Sequence, residues 1–266
     1  MDFLQMVMAT LGGSVVVLAA LAFLGRSLTT QLLAREMEDL RSRLKVEGDS
    51  VLESLKAQLQ HSARQEDRQF QLAQVMRHYQ GPLLHAAYDL QSRLYNILAR
   101  RFFDVYLVGG LPEQKHYAQY NTAFLIAQFF GWTEIIRQEV QFIEFEDTDR
   151  TRRLSELRDE IYGLWQSDRF DDPLMIWAGE QRGIGELMID SSGGKLTCKG
   201  YANFLKSYGA NQELLMTRLT CAVLASANAE ASSHDRLIAI QHKLIDMMAL
   251  LDPEGMRFRA AWRTKV

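Results

Sequence analysis

The chain opens on an apolar run. Phe3 to Gly25 carries no charge, and only Gln5, Thr10 and Ser14 are clearly polar. A helix rises about 1.5 Å per residue, so roughly 20 such residues cross a hydrocarbon core of about 30 Å. The pattern predicts a transmembrane anchor over residues 1–26. A cleaved signal peptide would need a basic start and a shorter apolar core, whereas this run follows Met1-Asp2. Arg26, Arg35, Arg41, Arg43 and Lys45 follow the run and no lysine or arginine precedes it. Positive residues stay cytoplasmic, so a single pass is expected with the N-terminus outside and the rest in the cytoplasm. Ala9 and Gly13, like Thr10 and Ser14, are spaced four apart. Small residues at that spacing form a candidate face for helix association in lipid.

From residue 27 to about 80 the pattern becomes polar and periodic. Leu33, Met37, Leu40 and Leu44 step by four, three and four, and Leu52, Leu55 and Leu59 by three and four. Such steps lay a narrow apolar seam along one side of a helix, with charges of both signs elsewhere. The phase slips near Gly48. The expectation is a helical stalk that pairs as a coiled coil, the alternative being one helix folded against the body.

Residues 81–254 read as a helical domain. Pro82 can open a helix because proline at the first position loses no needed hydrogen bond. Leu83, Ala87, Leu90, Leu94, Ile97, Leu98 and Phe102 then recur at helical spacing. Gly109, Gly110 and Pro112 are expected to stop that helix at Val108. A second helix is predicted from Glu113 to Phe130, a break at Gly131, and a third from Trp132 to Phe145. A fourth runs from Asp149 to Trp165, capped by Thr148 or Asp149. Ile176–Ile189 suggests a short helix with internal glycines. Lys195–Cys198 is placed as a short strand pairing back onto the end of that segment across Asp190–Gly194. Helices near Tyr201–Ser207, Gln212–Ala225 and His234–Leu251 complete the domain. The fold class is therefore all-α, with at most one short β-hairpin. A tail, residues 255–266, mixes Arg257, Arg259, Arg263 and Lys265 with Phe258 and Trp262. It is expected either to pack its rings on the body or to meet an anionic lipid surface.

Composition narrows the function. Of 266 residues 47% are hydrophobic and 24% charged, a globular balance, and a net charge of -3 argues against nucleic acid as a partner. Cys198 and Cys221 cannot make a disulfide framework and suit a reducing compartment. The aromatics gathered between Tyr88 and Trp132 are expected to build the core, a ligand-stacking platform being the alternative. No phosphate-binding loop, metalloprotease motif, nucleophile elbow or CxxC is present. The six histidines lack companions at metal spacing, and Glu144–Asp149 lacks the ladder of a calcium loop. No metal or cofactor is expected. The best polar constellation is Glu180, Arg182 and Glu186, with Arg182 and Glu186 four apart on one helix face. It is a candidate buried network or ligand site.

DLQSRLYNIL (Asp89–Leu98), GWTEIIRQEVQFIEF (Gly131–Phe145) and GEQRGIGELMI (Gly179–Ile189) resemble segments of an uncharacterised family of bacterial membrane-anchored helical proteins. The resemblance covers roughly Tyr79 to Phe204 and implies one shared domain, with no activity attached. Anchor, seam and missing catalytic motifs together lead to a non-enzymatic, self-associating sensor, scaffold or effector at a bacterial inner membrane. Its partners would be the bilayer and copies of itself. The alternatives are an enzyme or small-ligand receptor centred on Glu180, Arg182 and Glu186, or an effector that perturbs the membrane through clustered anchors.

Overall fold

A computed structural model describes residues 3–141, 149–211, 214–229 and 234–266, the side chains of residues 3–20, 22, 72–73, 75–77, 140–141, 150–151 and 207–211 lying outside the described set. Contacts divide the chain into two units, Met1–Glu66 and Asp67–Val266. The first is wholly helical in its described residues, and its helix α1, Phe3–Arg100, continues into the second. The side chains of Leu33, Met37, Leu40, Leu44, Leu52, Leu55 and Leu59 are each between 49% and 65% exposed. Among the described residues no helix is long and apolar enough to cross a membrane. The side chains of the candidate anchor, those of Ala9, Thr10, Gly13 and Ser14 among them, fall almost wholly outside the described set.

The second unit is all-α with one minimal hairpin. Its part of α1 buries one face through Tyr79, Leu83, Leu84, Ala87, Leu90 and Leu94. The helix does not begin at Pro82, as the sequence suggests, but runs straight through it. Interior proline forfeits a backbone hydrogen bond and costs about 3 kcal/mol. Tertiary contacts offset that loss here. Gln80 donates to the Leu251 carbonyl, and the Arg257 guanidinium lies against the bare backbone of Gly81.

The other end of α1 also departs from expectation. The helix stops at Arg100 rather than Val108, and Arg101 takes a left-handed φ of 54°. A π-helix, Phe103–Val108, follows. Its wider turn brings Phe103 and Leu107, four apart, into the core and leaves Val105, Tyr106 and Val108 outside.

Helix α2, Pro112–Gln141, is the central element, packing against the π-helix and against most of the helices that follow, and its Phe130 meets the rings of Tyr162 and Trp165 on the next helix. The break expected at Gly131 is absent. Gly131 is there for space: a Cβ would sit 2.8 Å from both Cys198 Sγ and Met188 Cβ. Helix α3, Asp149–Gln166, matches the predicted fourth helix, while the capping position Thr148 and most of Glu144–Asp149 lie outside the described residues. Helix α4, Ala178–Leu187, crosses α2 closely because Gly185 has no side chain, and a Cβ there would meet the Phe130 carbonyl oxygen at 2.8 Å. Strands β1, Ile189–Asp190, and β2, Thr197–Cys198, pair antiparallel with Ile189 opposite Cys198, as the turn chemistry predicts.

Helices α5, Tyr201–Asn211, α6, Leu214–Ala227, and α7, Asp235–Leu251, close the unit. Helix α7 packs along α3 and buries Leu237, Ile240, Leu244, Met247 and Met248. The tail then turns back at Gly255, φ 65°, and packs on the body. Phe258 is buried and stacks on Tyr88 at 4.0 Å. Asp252 organises this turn by accepting hydrogen bonds from the amides of Met256, Arg257 and Phe258 and from Arg263 at 2.6 Å.

The glycine contacts predict opposite effects of one substitution. Gly185→Ala should destabilise by about 1–3 kcal/mol, because α4 has to back away from a main-chain oxygen. Gly163→Ala, within α3 with nothing inside 4 Å of the new Cβ, should stabilise by about 0.5–1 kcal/mol. Denaturant midpoints of the two variants check this directly.

Candidate functional site

Where α4 crosses α2, the missing side chain of Gly185 leaves Glu134 enclosed. Glu134 is 1% exposed and accepts from Arg137 Nε at 2.8 Å, Arg137 Nη2 at 2.6 Å and Gln138 at 3.0 Å. Burial by itself would raise the pKa of this carboxyl. The Arg137 and Gln138 hydrogen bonds, with the charges of Arg137 and Arg182, outweigh burial and hold it below the usual value. Arg182 and Glu186 are exposed on α4. They act on the pair electrostatically, Arg182 on Glu134 and Glu186 on Arg137. No ion pair joins Arg182 to Glu186 among the described residues.

Glu180 faces elsewhere. It accepts from the Trp177 amide at 3.1 Å, capping its own helix, and pairs with Arg218 of α6. The void beside it, bordered by Ile176, Ile184, Leu215 and Leu219, is about 10 Å³, roughly one water's room. The three residues singled out by sequence are thus split between two places. The groups that gather around them, Glu134, Arg137 and Arg218, stand far away in sequence. A signal for Glu134 existed: one carboxylate inside the apolar run GWTEII, with a cation three positions on.

Beneath the junction, Thr133 and Tyr162 hydroxyls meet at 2.7 Å, and burial pushes the Tyr162 pKa up to about 12. Gln181, fully buried, donates to the carbonyls of Tyr162 and Ile176. Burial likewise raises the Cys198 thiol to about 12, which keeps it protonated and unreactive, whereas Cys221 is exposed. Arg236 of α7 is buried and donates to the Leu164 and Trp165 carbonyls at 2.7 and 2.9 Å, a cation on the C-terminal end of α3. Among the described residues no group of His, Cys, Asp or Glu is placed to hold a metal ion.

A roomier feature lies at another corner. The last turn of α1, the π-helix and the first turns of α2 enclose an open cleft of about 810 Å³. Its walls are Tyr95, Phe102, Val105, Tyr106 and Tyr117, with Asn96, Arg100, Glu113 and Gln114 at the polar positions. Behind the aromatic wall sits Arg93, 8% exposed. Its guanidinium lies 4.0 Å from the Phe102 ring centre and 5.7 Å from that of Tyr117. It donates to Asn121 at 2.6 Å and Thr122 at 3.5 Å, both uncharged. No carboxylate pairs with it among the described residues. The aromatic concentration seen in the sequence therefore divides: Phe103, Phe124, Phe129 and Phe130 are core, and Tyr106 and Tyr117 face the cleft.

No protein-family model, curated protein or solved structure matches the chain.

Removing the Glu134 carboxylate breaks a buried hydrogen-bonded pair. Because Arg137 can turn to water, Glu134→Ala should cost about 1–3 kcal/mol. The pH dependence has a definite sign. With its folded pKa below the unfolded value near 4.5, Glu134 contributes fully above that value and loses its contribution as pH falls through the folded pKa. Urea melts of wild type and Glu134→Ala should differ most at neutral pH and converge under acid conditions.

Proposed function

We propose that this protein is a membrane-anchored scaffold or sensor that works by self-association at a bacterial inner membrane, without catalytic activity of its own. The observation that carries the proposal is the seam on α1. Seven leucine and methionine side chains at heptad steps stand half exposed on a helix with no described partner for them. An aqueous helix that leaves such a row in water gains by pairing with another of its kind. The occupant is a second copy of this chain. Copies anchored in one bilayer by Phe3–Gly25 are parallel and at high local concentration, which favours a homotypic parallel seam. The basic residues after the anchor support a body on the cytoplasmic side. Clustered anchors that disturb the bilayer are the effector form of the same proposal. A small-ligand receptor is the second reading, favoured by the cleft rather than by the small void at Glu180.

Charge in the seam should dissociate the assembly, since an unpaired buried charge is costly. Full-length Leu40→Glu/Leu44→Glu in detergent is expected to run as a monomer in light scattering, against a larger wild-type species. As a second readout, Cys221→Ser removes the exposed thiol and Leu40→Cys should then cross-link copies through oxidation. A monomeric wild type with no cross-link would overturn the seam. Topology is checked separately: a reporter fused after Val266 should be active only in its cytoplasmic form.

A further inference from the structure

We propose that the cleft between α1, the π-helix and α2 binds a flat aromatic oxyanion, a ring system carrying a carboxylate, sulfonate or phosphate. Its volume of about 810 Å³ falls in the range of small-molecule sites, roughly 300–1,000 Å³. Three tyrosines and Phe102 line it, and rings of that kind offer faces and edges to another ring. A cleft built for packing alone would not leave Tyr106 and Tyr117 about half exposed at its mouth.

Charge decides the sign of the ligand. Arg93 is a nearly buried cation whose hydrogen bonds all go to neutral groups and which has no carboxylate partner among the described residues. It is separated from the cleft by Phe102 and Tyr117, the same rings that form the wall. Rings rather than solvent-facing polar groups flank it on that side, which weakens screening and lets its field reach the cavity. Arg100 adds a second positive charge at the rim against the single negative charge of Glu113, and Arg101 is already paired with Asp104 at 2.8 Å. An aromatic cation is disfavoured on the same grounds. Arg93 already uses the Phe102 face, and a second cation would meet an unneutralised one in a poorly solvated wall.

The backbone around the cleft is consistent with a built site. The wall is formed by a π-helix entered through Arg101 in the left-handed region, a conformation unfavourable for a non-glycine residue. The turn that closes it depends on Gly110, whose Cβ would collide with the Tyr106 carbonyl. Both devices serve to turn Tyr106 outward while Phe103 and Leu107 stay in the core.

The test uses the full chain in lipid nanodiscs, with empty nanodiscs as blank and equilibrium dialysis of three matched probes. Naphthalene-2-sulfonate should bind saturably at one per chain, 2-naphthol about tenfold more weakly, and 2-naphthyltrimethylammonium without saturation. Arg100→Glu and Tyr106→Ala, both exposed and therefore compatible with folding, should each weaken the sulfonate about tenfold. Lys195→Glu, on the hairpin turn, should leave it unchanged. The seam variant Leu40→Glu/Leu44→Glu should still bind, which separates this proposal from self-association. Absence of saturable sulfonate binding, equal binding of the ammonium probe, or indifference to both cleft substitutions would overturn it.

Discussion

The second unit rests on the close approach of α4 to α2. Gly185 is set against the main chain of Phe130, and Gly131, the next residue of α2, receives Cys198 and Met188. With no side chains between them, the helices lie near enough to cover Glu134, and a covered carboxylate has to be hydrogen-bonded. Arg137 and Gln138 provide that on the same helix, so the pair requires no long-range partner. The hairpin follows from the same crossing. Lys199 bonds back to the Met188 carbonyl and the Leu187 carbonyl, fixing β2 beside β1 where α4 ends.

Much of this was legible. The helices expected at Asp149–Trp165 and His234–Leu251 are found as α3 and α7, and the Ser-Gly-Gly turn placed β1 opposite β2 correctly. What failed has a common cause. Glycine and proline are local punctuation in a sequence, but packing decides what they do. Gly131 reads as a breaker and is a point of contact; Pro82 reads as a start and is carried through by the burial around it. The Arg101 break carries no glycine to announce it, and nothing in periodicity forecasts a π-turn.

The functional residues divide in the same way. Glu180, Arg182 and Glu186 were visible as charges on one short helix, but helix spacing cannot say which of them turns inward. One caps its helix and pairs across to α6, while the other two stand over a pair on α2. Arg93 was hidden for the opposite reason. An arginine inside DLQSRLYNIL looks like a solvated position, and only tertiary packing reveals that rings cover it.

The docked tail has a kinetic meaning. Gln80 reaches the Leu251 carbonyl and Gln91 the Trp262 carbonyl, each contact spanning 171 residues, and Phe258 lies on Tyr88. The face of α1 that includes Tyr88 therefore has no cover until the far end of the unit arrives. Contacts of such separation are slow to form because loop closure precedes any gain. Closing the tail over that face is thus a long-range clasp, and a chain in which it is open displays an aromatic strip capable of joining the wrong neighbour.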